Sequence, residues 1–486
     1  MNTRPFVYRI QAYKLPVDMS VDEQEIQQIE TPQGVYSLMF PTLNEQKIRE
    51  ISCRLEKNRH DYLALLTTSE IIDKIDLAVH KWLDPNYPQR RLAELLLPYV
   101  TGYDADMIRL QLKRYMRTFR KKELLRFLDE EFDNPAMLDE FRPRKSGGFS
   151  RIYGPKLIFH IFSGNVPGIS IWSLIMGLLL KSAQLGKTSS AEPLMAVWFA
   201  ESLAEVDQRL GDAIAILPWQ GGNREFEDPA IEMADAIITY GSNKTLENIR
   251  PRIPIHKNCL TFGHRISFAM IGQEALTPDR MDDTIARLAA DIALYDQQSC
   301  LSPQSVFVEE GGSLSPQQFA QNLAAEMDRM QLRKPRADLT DAEAWAIQNE
   351  RNRYTFEHDD VFVYESKQNT AWTVIYHTKP GFQSSPLNRT VHVYACKQLE
   401  EGIPFLSSFR TYLQSCGIAV SPARLLNLAQ TLGEAGVSRI CPLGAMNQAK
   451  PGWHHDGRFN LVDLIRYVDI EKGTEELAEQ YDPDVE

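Results

Sequence analysis

No cysteine in this chain stands in a CxxC pair or at metal-ligand spacing from a histidine, so the sequence offers neither a zinc site nor a disulfide framework. Its six cysteines, Cys53, Cys259, Cys300, Cys396, Cys416 and Cys441, are scattered and read as reduced thiols. Positive charge is scarce as well: 53 Lys and Arg stand against 65 Asp and Glu, a net charge of −12. That balance argues against nucleic acid as a ligand, because phosphate backbones need a concentrated basic surface. Long apolar runs are missing. The most apolar stretch, residues 169–180, is bounded by Pro167, Gly168 and Lys181, and at about half the length needed to cross a bilayer it reads as a buried helix rather than a membrane segment. Met1-Asn2-Thr3-Arg4-Pro5 lacks the basic-then-apolar pattern of a secretory leader, which makes the cytoplasm the expected compartment. Internal repeats and low-complexity tracts are absent from the sequence.

What is present is the composition of an ordinary globular protein, 43% hydrophobic and 24% charged over 486 residues, long enough for two or three domains. Residues 1–90 mix strand-like pieces, such as 34–40, with helical ones and carry no recognisable chemistry. From 91 to about 132 the apolar spacing predicts helices, with Pro98 and Gly102 marking a break. Arg117, Arg120, Lys121 and Lys122 form the one dense basic cluster. It reads as a solvated helix face or, more sharply, as a docking face for an acidic carrier protein. Residues 143–154 read as a linker.

From Leu157 strands and helices alternate. Strands are predicted at 157–162, 213–217, 236–240, 259–262, 268–271, 306–308, 361–364, 372–376 and 391–394. Helices are predicted at 169–184, 316–332, 341–353, 403–414 and 461–468. That order implies an α/β fold with a parallel sheet covered on both faces.

The chain centres on Asp296-Gln297-Gln298-Ser299-Cys300-Leu301-Ser302-Pro303-Gln304. A helical pattern with Ile285, Leu288, Ile292 and Tyr295 runs into it, and the strand-like residues 305–309 leave it, so Cys300 falls at a helix-to-strand turn. Such a turn can present a thiol to a substrate; the alternative is a buried cysteine packed as a small hydrophobe.

Three further stretches fall at strand ends. In Ser163-Gly164-Asn165-Val166-Pro167-Gly168 the Asn165 amide can face a developing oxyanion, or simply satisfy a turn. Leu185-Gly186-Lys187-Thr188-Ser189-Ser190 offers a lysine and three hydroxyls where a nucleotide binds at the carboxyl edge of a parallel sheet. GKTS is not a P-loop, because position 181 is Lys where the upstream glycine belongs. The third is Thr239-Tyr240-Gly241-Ser242-Asn243, whose Gly-Ser could meet a pyrophosphate. His454-His455-Asp456 invites a metal reading, but adjacent histidines do not readily face one ion and no third ligand is apparent, so no metal is expected.

The order of SGNVPG, LLLKSAQLGKTSS, TYGSN, LTFGHRIS and QQSCLSPQ, with the terminal RICPLGAMNQAKPGWHHDG and LIRYVDIE, resembles the aldehyde dehydrogenase superfamily, and more closely its LuxC-type branch of fatty acyl-thioester reductases. The resemblance covers residues 90–471. It implies an aldehyde-dehydrogenase-like α/β fold: an accessory region (1–90), a helical lead-in with an NADP-binding Rossmann-like domain (91–275), a catalytic domain (276–436), and a C-terminal segment packing back on the core (437–486), with a small oligomerisation element.

By the same resemblance Cys300 matches the nucleophile, Asn165 the oxyanion asparagine, Lys187 the lysine on the adenosine ribose, and Gly241 with Ser242 the pyrophosphate turn. Ser190 falls where NAD-preferring relatives carry a glutamate. A serine there removes a charge that would repel a 2′-phosphate, and Lys187 adds an attractive one, so NADPH is the expected cofactor. Two usual glutamates are missing, from Leu260-Thr261-Phe262-Gly263 and from the neighbourhood of Ser385-Pro386-Leu387-Asn388. The lack of the first leaves an acyl-enzyme without a base to activate water.

The expected reaction is therefore reduction of a long-chain acyl thioester, carried by coenzyme A or a carrier protein, to a fatty aldehyde. An acyl-protein synthetase is a candidate partner and a homo-oligomer the implied state. Rival readings are a coenzyme-A-acylating dehydrogenase running in reverse, a non-reducing acyl-holding subunit, and an acyl-phosphate reductase. His160, His264 and His455 are the candidates for proton delivery, each with a structural role as the alternative.

Overall fold

The strands that the apolar runs predict assemble, in a computed structural model that describes residues 7–357, 360–482 and 484, into two all-but-parallel sheets. The leader reading at Met1–Pro5 lies outside the described residues. The chain divides into two compact units, one of residues 1–100, 111–263 and 459–486, the other of residues 101–110 and 264–458.

In the first unit a five-stranded parallel sheet runs in the order Asn258–Phe262, Ala236–Tyr240, Leu157–Ile161, Ala183–Thr188, Ile214–Pro218. The central three strands and Ile214–Pro218 are buried along their whole length. That is why they read as continuous apolar runs rather than alternating ones. Winding starts at Leu157–Ile161 and proceeds first one way, then the other. The order therefore reverses between Leu157–Ile161 and Ala236–Tyr240, and the crevice at the carboxyl ends of those two strands is where open α/β sheets bind ligands.

The helix expected over 169–184 ends at Leu179. Lys181 turns the chain with φ 55°, and Ala183–Thr188 pairs with Leu157–Ile161 instead. Gly177 permits this turn back, since a Cβ there would lie 2.4 Å from the Gln184 side-chain oxygen.

Two more expectations are corrected in this unit. The supposed linker 143–154 contains the strand Phe149–Tyr153, and the supposed helix 461–468 is a short 3-10 turn, Val462–Leu464, followed by the strand Arg466–Ile470. These two strands pair antiparallel; each found a partner too distant in sequence for local periodicity to reveal. Two of the four residues of the basic cluster are paired within the unit. Arg120 Nε donates to Asp76 at 2.5 Å and Lys121 Nζ to Asp73 at 2.5 Å, both on the helix Thr68–Leu83. These two residues pin one helix to another.

The second unit holds a seven-stranded sheet in the order Val361–Glu365, Thr373–His377, Thr390–Cys396, Pro303–Glu309, Ile266–Ile271, Leu413–Ala419, Arg439–Pro442. Only the first pair is antiparallel. Val306, Val308, Ala269 and Ile271 pack into a core with helices Met281–Ala293 and Pro316–Arg333. Phe307, Phe268, Met270 and Tyr394 pack into a second core with Leu399 and Leu406. The helix expected over 403–414 is a 3-10 segment, Leu399–Phe409, and the residues from 413 form the buried strand Leu413–Ala419.

The C-terminal residues are fastened to the first unit through one carboxylate. Glu131 accepts the Asn460 backbone N–H at 2.8 Å, the Asn460 amide at 2.7 Å and the Leu461 N–H at 2.7 Å. Replacing Glu131 by alanine leaves three buried donors unsatisfied, and each charge-assisted bond is worth about 1.5–3 kcal/mol. The Glu131→Ala protein is expected to unfold at lower urea concentration and to lose residues 459–486 first in limited proteolysis.

Candidate active site

The approach to Cys300 is a strained one. After helix Met281–Ala293 the residues Tyr295, Asp296 and Gln297 all take left-handed backbone angles (φ 50°, 49° and 68°), a conformation costing about 1–2 kcal/mol for each residue other than glycine. A second triplet, Leu387, Asn388 and Arg389 (φ 62°, 53° and 64°), is equally strained.

The two triplets hold each other. Arg389 donates to Asp296 Oδ1 through Nε at 2.9 Å and Nη2 at 2.7 Å, with the side chains 1% and 3% exposed. Gln297 Nε2 donates to the carbonyls of Pro303 and Thr390, while its oxygen accepts the Thr390 N–H. Gln298 donates to Asn388 at 2.9 Å. The glutamines of this stretch therefore build the turn, and Cys300 follows at its end, half-buried, with its carbonyl accepting Ser267 Oγ at 2.7 Å.

Around the Cys300 sulfur stand Gln414, Arg265 and Asp456. Burial pushes the thiol up to about 12, Asp456 adds to the rise, and a Gln414 hydrogen bond and Arg265 oppose it. A raised thiol does not distinguish Cys300, because Cys396, Cys416 and Cys441 are raised by burial too. Those three are fully buried, whereas Cys300 combines partial access with polar neighbours. His264 is held below its ordinary value by burial and Arg265, and His455 falls to about 4 by burial, with Asp456 opposing. Both are neutral imidazoles at pH 7. His160 lies in the first unit, buried against Ser173 Oγ at 2.8 Å and lowered to about 3, which is its structural alternative.

The remaining candidates fall in the first unit, at the carboxyl ends of its parallel strands. Asn165 is exposed in the turn after Leu157–Ile161. That turn packs against the Ser189–Glu192 turn so closely that a Cβ on Gly164 would lie 2.7 Å from Ser189 Oγ. Lys187 is 7% exposed near the end of its strand, lowered by burial and supported by Glu227. Glu227 itself is taken by Arg252 Nη1 at 2.6 Å and the Gly222 N–H at 2.8 Å.

Ser190 is exposed, and the nearest acid along the chain, Glu192, is buried with Oε1 accepting the Leu194 and Met195 N–H groups at 2.8 Å. Gly241 and Ser242 follow Ala236–Tyr240; the Ser242 hydroxyl accepts from Thr245 N. Thr188 Oγ1, Trp219 Nε1 and Thr239 Oγ1, at or beside the same strand ends, are buried without hydrogen-bond partners. Unspent polar atoms beside a lysine at the carboxyl ends of parallel strands fit a polar ligand there, as a dinucleotide is.

Sequence reasoning missed Arg265, Gln414 and Asp456. Arg265 and Asp456 stand inside motifs singled out for other reasons, and Gln414 was assigned to a helix.

The family profile described as acyl-CoA reductase (LuxC) matches residues 63–467. The chain belongs to the LuxC family. It is 23% identical over 458 residues to a long-chain acyl-protein thioester reductase of Photobacterium phosphoreum, covering 93% of this chain and 89% of that one. To the protein of the same name from Aliivibrio fischeri it is 26% identical over 411 residues, covering 84% and 83%. Its fold is that of aldehyde dehydrogenases. It superposes on aldehyde dehydrogenase 21 of Physcomitrella patens with a TM-score of 0.70 at 14% identity, covering 97% of this chain and 99% of that one. For the NADP-dependent glyceraldehyde-3-phosphate dehydrogenase of Bacillus halodurans, solved with NADP, the TM-score is 0.68 at 13% identity, covering 91% and 95%.

Two outcomes follow for this LuxC-family site. Arg389→Ala strands a buried carboxylate and should lower stability by about 3–5 kcal/mol, read as a fall in the urea midpoint. Because the Cys300 thiol is raised to about 12, its thiolate fraction, and with it the rate of iodoacetamide labelling, should climb about tenfold per pH unit from pH 7 to 9. A plateau below pH 8 in labelling followed by mass spectrometry would contradict the burial argument.

Proposed function

We propose that this LuxC-family chain reduces long-chain fatty acyl thioesters to aldehydes through an acyl-cysteine at Cys300, using NADPH. The observation that carries the reading is the family match together with a half-buried cysteine that follows a left-handed turn and precedes a parallel strand. The relatives named above as acyl-protein thioester reductases support an acyl-protein donor, and the family description supports acyl-CoA.

In this reading the Cys300 thiolate attacks the thioester carbonyl. The Cys300 backbone N–H and the Asn165 amide supply donors for the oxyanion, and the coenzyme A or carrier thiol departs. Lys187, Ser190, Gly241 and Ser242 hold the dinucleotide. When bound, NADPH supplies the hydride for the acyl group on sulfur. Collapse of the resulting hemithioacetal frees the aldehyde and returns the thiolate.

Two features favour reduction over hydrolysis and a 2′-phosphate over a bare ribose. No acid occurs among residues 260–263 to activate water. Ser190 is uncharged, and Glu192 is turned inward onto backbone N–H groups. A soluble cytoplasmic homo-oligomer working with an acyl-protein synthetase completes the proposal. Among the described residues no helix is long and apolar enough to cross a membrane.

Incubation with palmitoyl-CoA and NADPH, followed by intact mass and absorbance, tests it. The native chain should gain a palmitoyl adduct and oxidise NADPH in preference to NADH; Cys300→Ala should do neither. Asn165→Ala should still form the adduct, but acylation and turnover should both fall about 100-fold to 1,000-fold. An adduct with no NADPH oxidation would identify an acyl-holding subunit instead.

A further inference from the structure

The strands Phe149–Tyr153 and Arg466–Ile470, which the proposed reaction does not use, contribute to the wall of a cavity in the first unit. It lies at the amino ends of the five-stranded parallel sheet. There the Lys156 carbonyl accepts the Ala183 N–H at 2.9 Å, the Leu157 carbonyl accepts the Asp235 N–H at 2.9 Å, and Asn258 opens an edge strand. The crevice proposed for the dinucleotide is at the other end of the same strands.

The cavity holds about 450 Å³ and is lined by five cations, Arg59, Arg151, Lys156, Lys181 and Arg466, and by one acid, Asp235. In a chain of net charge −12 this is positive charge gathered by the fold from four separate segments. The walls are closely packed: a Cβ on Gly154 would lie 2.2 Å from the Leu180 carbonyl oxygen. Leu138, Leu464 and Ile465 add an apolar side.

Most of the charge is unspent. Lys181 Nζ meets Asp139 at 2.6 Å, and Asp235 Oδ2 accepts the Lys156 backbone N–H at 2.6 Å. Among the described residues no carboxylate stands at salt-bridge distance from Arg59, Arg151, Lys156 or Arg466. Arg59 Nε is used on the Lys181 carbonyl at 2.8 Å, and burial lowers this guanidinium below its ordinary value, with Asp235 and Glu56 opposing. A solvated basic face leaves its nitrogens wet, whereas Arg151 Nε is buried with no hydrogen-bond partner. A group that gives up water without gaining an acceptor is costly, and an arriving anion removes that cost. The Arg151 and Arg466 guanidiniums lie 5.1 Å and 4.9 Å from the centroid of one ring, Tyr153, which faces Arg466 across the strand pair. Stacking on a ring restrains a guanidinium's plane, and a restrained fork suits the paired oxygens of a phosphate.

We propose that this cavity binds a small organic phosphate, its oxygens taken by Arg151 and Arg466 and its apolar part set against Leu138, Leu464 and Ile465. Arg59 and Lys156 add charge. The site goes beyond the reductase reading and holds whether or not Cys300 is the nucleophile.

Phenyl phosphate is titrated calorimetrically into the full chain at about 0.1 M ionic strength, where exposed charges more than about 10 Å apart are screened. It should bind, and inorganic phosphate, lacking the ring, should bind more weakly. Arg151→Gln and Arg466→Gln should each weaken phenyl phosphate at least about tenfold. Lys187→Ala, at the opposite end of the sheet, should bind it as the native chain does. No binding to the native chain, or binding that persists in the double arginine variant, overturns the proposal. So does loss of binding in Lys187→Ala alone, which assigns the ligand to the dinucleotide crevice. Thermal melting identifies a variant that fails to fold. If Arg466→Gln is lost that way, Lys156→Gln, which alters an exposed side chain, decides: weaker binding supports the site and unchanged binding overturns it. A chain that binds phenyl phosphate here yet oxidises no NADPH with palmitoyl-CoA defeats the functional reading and leaves this site standing.

Discussion

One buried ion pair sets the geometry on which the thiol depends. Asp296 and Arg389 are almost completely removed from solvent, and each sits inside a run of three left-handed residues that no isolated peptide would adopt. Neither run is stable alone. Each supplies the partner that helps make the other tolerable, the buried ion pair together with the hydrogen bonds of Gln297 and Gln298 offsetting the strained backbone. Gln297, tied by three hydrogen bonds to Pro303 and to Thr390 just after the second run, leaves the turn little freedom. The cysteine that follows is placed by its neighbours' commitments and does not have to be held by contacts of its own.

The electrostatic character of that cysteine is resting rather than primed. Burial and Asp456 favour the thiol, and the nearby imidazoles are neutral at pH 7. In the proposed reaction such restraint spares the thiol from electrophiles other than its substrate. A standing thiolate reacts with any electrophile, whereas a thiol whose proton leaves only with a substrate in place reacts selectively.

How much of this was legible beforehand depends on how local the cause is. Residues 236–240 are buried in a central parallel strand, and their apolar run said so. The turn carrying Cys300 was visible because helical spacing stops and β-branched residues begin. By contrast, Ile403, Leu406 and Phe409 repeat every three residues, which imitates an α-helix; the segment is 3-10, and Leu413–Ala419 is a strand. Arg466–Ile470 was misread because its partner, Phe149–Tyr153, is remote: Ser150 and Asp469, hydrogen-bonded at 2.6 Å, lie 319 positions apart. The polar residues around the sulfur were hidden for the same reason. Arg265, Gln414 and Asp456 come from three separate segments, and only the sheet brings them together. The residues proposed to hold a nucleotide, by comparison, fall at or just after strand ends, where sequence order alone points to a ligand-binding edge.

The first unit is assembled from three stretches of chain, the last of them residues 459–486, and its small antiparallel sheet needs the strand Arg466–Ile470. During synthesis that sheet has to wait with one place vacant while about three hundred intervening residues, the second unit's 264–458 among them, are made. Until then Phe149–Tyr153 presents an unpaired edge, which is a natural handle for a chaperone or for a second copy of the chain.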